Sequence, residues 1–174
     1  MFEKLKQRSL KKHLEKDLQS RDLSGVNAPL KTLGFLVDET VLADFDRLYA
    51  FYKPLMLQPK DVKVFSFLET KRKLPTLRQN QMYHKDVNWK GEITNQNALE
   101  FLDRDFDVLV GWYEGKHRFL DVMVARSKAK FKVGFQGADA RLFDLLMGVD
   151  IKDVQLFENE LKKYLTLLNK ISIT

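Results

Sequence analysis

Two glycine-bearing stretches hold the residues best placed to do chemistry. The first is Gly111-Trp112-Tyr113-Glu114-Gly115-Lys116-His117-Arg118. It begins like a phosphate loop, but its spacing is one residue short of Gly-x-x-x-x-Gly-Lys-Ser/Thr, and His117 replaces the hydroxyl that would meet magnesium. Trp112 and Tyr113 also fill positions where backbone must wrap phosphate closely, which excludes a P-loop NTPase. A strand-to-helix turn flanked by Lys116, His117 and Arg118 could still accept an anion at a helix N-terminus. The second stretch runs from Gly134 to Arg141, GFQGADAR. Gly134 and Gly137 could take positive φ and form a small anion nest beside Arg141, or simply turn the chain.

Asp38-Glu39-Thr40 follows the first apolar run. A dinucleotide site needs glycines there, and two carboxylates would repel a pyrophosphate, so an NAD-type Rossmann enzyme is not expected. Asp38 and Glu39 could hold a metal or act as a base; an Asp or Thr40 capping the next helix is the simpler role. His13, His84 and His117 are too scattered for a metal triad, and neither a serine nucleophile elbow nor His-Glu-x-x-His occurs. The absence of cysteine removes disulfides, thiolate metal sites, a cysteine nucleophile and iron–sulfur clusters. Neither a cofactor nor a metal is expected.

Basic residues form a second class of candidates. Lys71, Arg72 and Lys73, with Arg78, Lys85 and Lys90, are interleaved with Tyr83, His84 and Trp89. Cations beside aromatics can grip a phosphodiester chain and stack its bases. Lys128, Lys130 and Lys132 alternate with Ala129 and Phe131, so they point to one face of a strand. Three ammonium groups cannot be buried unpaired, which places them on an edge, in a loop or beside a binding surface. The nucleic-acid candidates are therefore Lys71, Arg72, Lys73, Trp89, Lys128 and Lys130.

The elements that must position these residues follow from the apolar pattern. With 174 residues, 44% hydrophobic and 31% charged, the chain can form one globular domain with a sizeable core. Residues 1–24 read as a basic helical arm, with Leu10, Leu14 and Leu18 on one narrow stripe and Ser24 to Pro29 as the break. Residues 30–174 read as a single α/β domain. Strands are predicted at 32–38, 62–68, 106–112, 131–135 and 142–149, with a short one around 87–93. Helices are predicted through Leu42–Tyr52, after an Asn95 cap, around 117–127 and over 154–168. Alternating strands and helices predict a three-layer, mainly parallel, Rossmann-like sheet with helices on both faces, whose ligands gather beyond the carboxyl ends of the strands. No apolar run reaches the length of a membrane span and no secretory signal opens the chain, so a cytoplasmic protein is expected. A net charge of +6 and a pI near 9.4 favour acidic partners.

Three segments carry a resemblance: Phe106-Asp107-Val108-Leu109-Val110, then Ser127 to Gly134 (SKAKFKVG), then Phe157 to Leu165 (FENELKKYL). Through them the C-terminal two-thirds resembles a small family of uncharacterised bacterial proteins, which brings no assigned activity. The strand–helix–strand pattern is also distantly similar to the N-terminal half of heptosyltransferase-type glycosyltransferases. That likeness implies a Rossmann-like half-domain without the second domain that largely forms the nucleotide-sugar site.

A non-enzymatic binding protein for RNA or a ribonucleoprotein surface is the expectation these features favour. The alternatives are a small enzyme or sensor for a phosphorylated ligand near Gly111–Arg118 and Gly134–Arg141, and an adaptor that meets a protein partner through the N-terminal helix.

Overall fold

The computed structural model describes residues 2–70 and 77–172. Six parallel strands form one sheet: β1 Leu33–Asp38, β2 Val62–Leu68, β3 Gln81–Tyr83, β4 Val108–Trp112, β5 Phe131–Phe135 and β6 Leu145–Met147. Their order is β3-β2-β1-β4-β5-β6. The chain winds outward from β1 to β3, then returns to the other side of β1 and winds outward again. The order therefore reverses between β1 and β4, the switch point beyond whose carboxyl ends open α/β sheets place their ligands.

Helices cover both faces, as the alternation of elements requires. On one face lie α1 Phe2–Gln19, α2 Gln96–Asp103 and α3 Leu120–Arg126. On the other lie a 3-10 helix at Phe45–Tyr52 and α4 Val154–Leu167. Successive strand residues feed opposite layers: Leu36, Phe65, Phe67 and Leu109 pack under α1, α2 and α3, while Phe35, Val37, Val110 and Trp112 pack under α4 and the 3-10 helix. The central strands are buried on both faces, which is why they read as continuous apolar runs. Asn95 caps α2 as predicted, its Oδ1 accepting the Ala98 amide at 3.0 Å.

Leu10, Leu14 and Leu18 form the face of α1 that packs beside α3; Leu10 is only 3% exposed. The helix is polar overall because only this stripe is covered. Four expectations change in detail. The predicted helix through Leu42–Tyr52 forms as the 3-10 segment, ended by Pro54 and the left-handed Met56 (φ 58°). The strand around 87–93 is reduced to one antiparallel bridge, Val87 to Ile93. The last strand contracts to β6. β3 arises in the polar stretch where no strand was predicted. No helix among the described residues is long and apolar enough to cross a membrane.

Phe157 is fully buried, with ring centroids 4.6 Å from Trp112 and 4.9 Å from Phe135. Phe157→Ala should lower stability by about 3–5 kcal/mol, and Leu10→Ala by about 2–5 kcal/mol. Urea denaturation measures both. A Leu10→Ala variant as stable as wild type would show that α1 lies outside the cooperative unit.

Candidate functional site

The reversal point brings together Asp38 at the end of β1, Glu69 just beyond β2, and Tyr113 to Arg118 beyond β4. His117 Nδ1 accepts the amides of Phe119 (3.2 Å) and Leu120 (3.1 Å), so the ring caps the first turn of α3. A nitrogen that accepts cannot also carry the proton, and the neutral imidazole therefore holds its hydrogen on Nε2. That nitrogen lies 3.9 Å from Asp38 Oδ2. Asp38 Oδ1 is already occupied, accepting from the amide (3.0 Å) and hydroxyl (2.7 Å) of Thr40. The Phe67 and Tyr113 rings stand edge-on to the imidazole, at centroid distances of 5.3 and 5.9 Å. Burial holds the His117 pKa below its ordinary value, and the ring stays neutral at neutral pH.

Beneath His117, Asp121 is 5% exposed; it accepts from the Tyr113 hydroxyl at 2.6 Å and from the His117 amide at 3.2 Å. Burial raises the pKa of both Asp121 and Tyr113. Glu39 faces away towards β3, accepting from Gln81 Nε2 at 2.7 Å, and burial raises its pKa as well. Among the described residues, no three His, Asp or Glu side chains group as a metal site.

These contacts occupy most of the anion donors that the sequence suggests. The amides at the start of α3 donate to His117 and Asp121. Arg118 is held between Glu3 (3.0 Å) and Glu69 (2.9 Å), and Arg141 between Asp139 (2.8 Å) and Glu15 (2.9 Å). Lys116 stays exposed, with no ion-pair partner among the described residues. Gly134 lies within β5, where an added Cβ would sit 2.9 Å from the Phe143 ring; Gly111 on β4 approaches the same ring at 3.1 Å. Both glycines leave room for the Phe143 ring against the sheet. Gly137 is the turn residue, with φ 98° and open space around it. The two loops do adjoin, with the Tyr113 and Phe143 rings 6.2 Å apart.

Of the three alternating lysines, two lie in the loop before β5 and are paired: Lys128 with Asp103 (3.6 Å) and Lys130 with Asp107 (3.0 Å). Lys132 departs from expectation. It sits on an interior strand and is only 1% exposed. Its ammonium donates at 2.5 Å to the Val124 carbonyl, in the last turn of α3, where the helix end is negative. Burial, aided by nearby Arg21, lowers its pKa to about 8.

Lys71, Arg72 and Lys73 lie outside the described residues. Among the described residues, α1 carries a concentration of free positive charge. Lys4, Arg8, Lys11, Lys12 and Lys16 are exposed, and none has an ion-pair partner among the described residues. Steps of four residues place Lys4, Arg8, Lys12 and Lys16 on one slowly winding stripe opposite the leucines. Glu15, on the same side, is engaged by Arg141. Gly91 (φ 75°) presses against α1, where an added Cβ would lie 3.1 Å from the Leu10 amide nitrogen, and His13 Nε2 bonds the Lys90 carbonyl at 3.0 Å. These contacts seat Trp89, 50% exposed, and Lys90 alongside α1, with the ammonium 5.4 Å from the indole centroid. The leucine stripe was the sequence signal for this surface, because it marks the opposite face of α1 as outward.

A family model described as a family of unknown function, DUF6913, matches residues 6–168. No curated protein and no solved structure matches the chain. The match supports the resemblance to uncharacterised proteins; nothing in these comparisons supports the likeness to heptosyltransferase-type enzymes.

The lowered pKa of Lys132 has a consequence for stability. Its folded value of about 8 lies below the ordinary 10.5, so between these values the unfolded chain binds more protons. Stability should therefore rise as pH increases through this window, with the full penalty present below it. Lys132→Met should flatten that rise, because it removes the group that titrates. Denaturation midpoints of both proteins across the window test this. A wild type with no rise, or a variant that keeps the rise, would contradict it.

Proposed function

The chain belongs to this family of unknown function, and from its geometry we propose that it binds single-stranded nucleic acid, RNA or the RNA of a ribonucleoprotein surface, along the outer face of α1. The observation that carries this reading is the row of free cations on α1, with the exposed ring of Trp89 in the loop whose Lys90 and Gly91 pack on the same helix. From Lys4 to Lys16 the helix rises about 18 Å, long enough to meet several phosphates of one strand. Phosphate contacts supply affinity without reading sequence, and an exposed indole adds stacking that tolerates any base.

The reading for a small phosphorylated ligand loses support by the same reasoning. Arg118 and Arg141 are each neutralised by two carboxylates, and the amides of α3 already have acceptors. Lys128 and Lys130 also have local partners, which favours α1 over the loop before β5 as the phosphate contact.

Binding of a mixed-sequence single-stranded RNA, followed by fluorescence anisotropy across salt concentrations, tests the proposal. Each phosphate contact contributes about 0.7 to the log–log salt slope. Replacing Lys4, Arg8 and Lys12 together by Ala should reduce the slope by about 2 without lowering thermal stability. Trp89→Ala should weaken binding by about 1–3 kcal/mol and leave the slope unchanged. Undetectable binding at low salt would overturn the reading, as would a larger loss from Lys128→Ala and Lys130→Ala than from the α1 variant.

A further inference from the structure

We infer that the switch point beyond the carboxyl ends of β1 and β4 binds a neutral, hydroxyl-bearing small molecule of the polyol or sugar class, with one hydroxyl bridging His117 Nε2–H and Asp38 Oδ2. The two atoms are 3.9 Å apart, too far for a direct hydrogen bond. An oxygen about 2.8 Å from each fits between them. The group placed there must accept from the imidazole and donate to the carboxylate. A hydroxyl does both at one atom.

Other ligand chemistries fit less well. An anionic group would meet Asp38, with Glu69 and Asp121 acting on the same imidazole. An ammonium would face the Nε2–H donor. A metal ion would need a lone pair on His117, yet Nδ1 is engaged by two amides and Nε2 carries the proton. Swapping the tautomer would uncap α3.

The pair is also held in place. The amides of Phe119 and Leu120 fix one side of the imidazole, and the Phe67 and Tyr113 rings fix its plane. Thr40 fixes the carboxylate through two bonds to Oδ1. Both side chains nevertheless keep some access to solvent, 17% for His117 and 13% for Asp38. Two preorganised, complementary groups stand at the position where parallel α/β sheets place their ligands. Burial keeps the imidazole a neutral donor near pH 7.

The test uses full-length protein with isotope-labelled histidine, titrated separately with glycerol, D-ribose, D-glucose and myo-inositol. The His117 ring signals and the Thr40 amide should shift saturably with at least one of them. In Asp38→Asn, the side-chain oxygen can still accept from Thr40, but an amide NH2 then faces Nε2–H and cannot accept. Binding should weaken about tenfold or more while the melting temperature holds. A crystal structure of the wild type soaked in the best binder should place one oxygen about 2.8 Å from both atoms. If no probe shifts these signals even at tens of millimolar, the gap holds solvent alone and the inference falls. It also falls if Asp38→Asn binds as wild type does, or if the soaked oxygen lies elsewhere. None of these results depends on whether α1 binds RNA.

Discussion

A charge beside a parallel sheet covered on both faces has little water to turn to, so it must find a counter-charge or a carbonyl within the fold. This constraint organises the molecule. Lys132 reaches the Val124 carbonyl, and Lys170 reaches the carbonyls of Val26 (2.5 Å) and Ala28 (3.1 Å) beneath the Phe131 ring. Arg21 grips Asp144 with two bonds, while Asp144 also accepts the Lys132 amide. Asp107 accepts from Lys130 and from the amides of Lys31 and Thr32. Burial alone would raise its pKa, but these partners outweigh burial and hold it below the usual carboxylate range. Together the links tie the segment after α1, the residues leading into β1 and the C-terminal turn to the sheet. Lys130, Lys132, Lys170 and Arg21 thus use their charge within the fold.

What remains free is sorted by position. On the outer face of α1, Lys4, Arg8, Lys12 and Lys16 have no ion-pair partner among the described residues and stay available to a partner. The switch point between β1 and β4 has a different character. Arg118 is neutralised from both sides there and Lys116 stays exposed, while a neutral imidazole and a single carboxylate oxygen are left facing each other. A charged polymer suits the first surface and an uncharged hydroxyl the second. Arg118 also connects the two, because Glu3 on α1 and Glu69 beyond β2 share it.

Sequence reading succeeded where one segment carries its own reason. The apolar runs of β1, β2, β4 and β5 are buried on both faces, and the leucines of α1 and the Asn95 cap act over a single turn. It failed where the reason lies elsewhere in the chain. Gly111 and Gly134 looked like ligand-approach glycines, but what they admit is Phe143, a ring no local spacing reveals. β3 is three residues in a polar stretch, and its existence depends on the free edge of β2. Lys132 alternates in phase with Lys128 and Lys130, yet only the placement of the C-terminal turn of α3 makes its burial tolerable. Asp38 and His117 were each noticed beside a strand end. Their pairing depends on β4 lying next to β1, which strand order decides and neither segment encodes.

The division between engaged and free cations is the central claim, and competitive acetylation of amines on the native protein, read by mass spectrometry, tests it most directly. The account predicts that Lys4, Lys11, Lys12 and Lys16 react first and that Lys130, Lys132 and Lys170 react last, with added single-stranded RNA protecting the α1 lysines alone. Equal reactivity of Lys132 and the α1 lysines, or protection by RNA at Lys128 and Lys130 in place of α1, would contradict it.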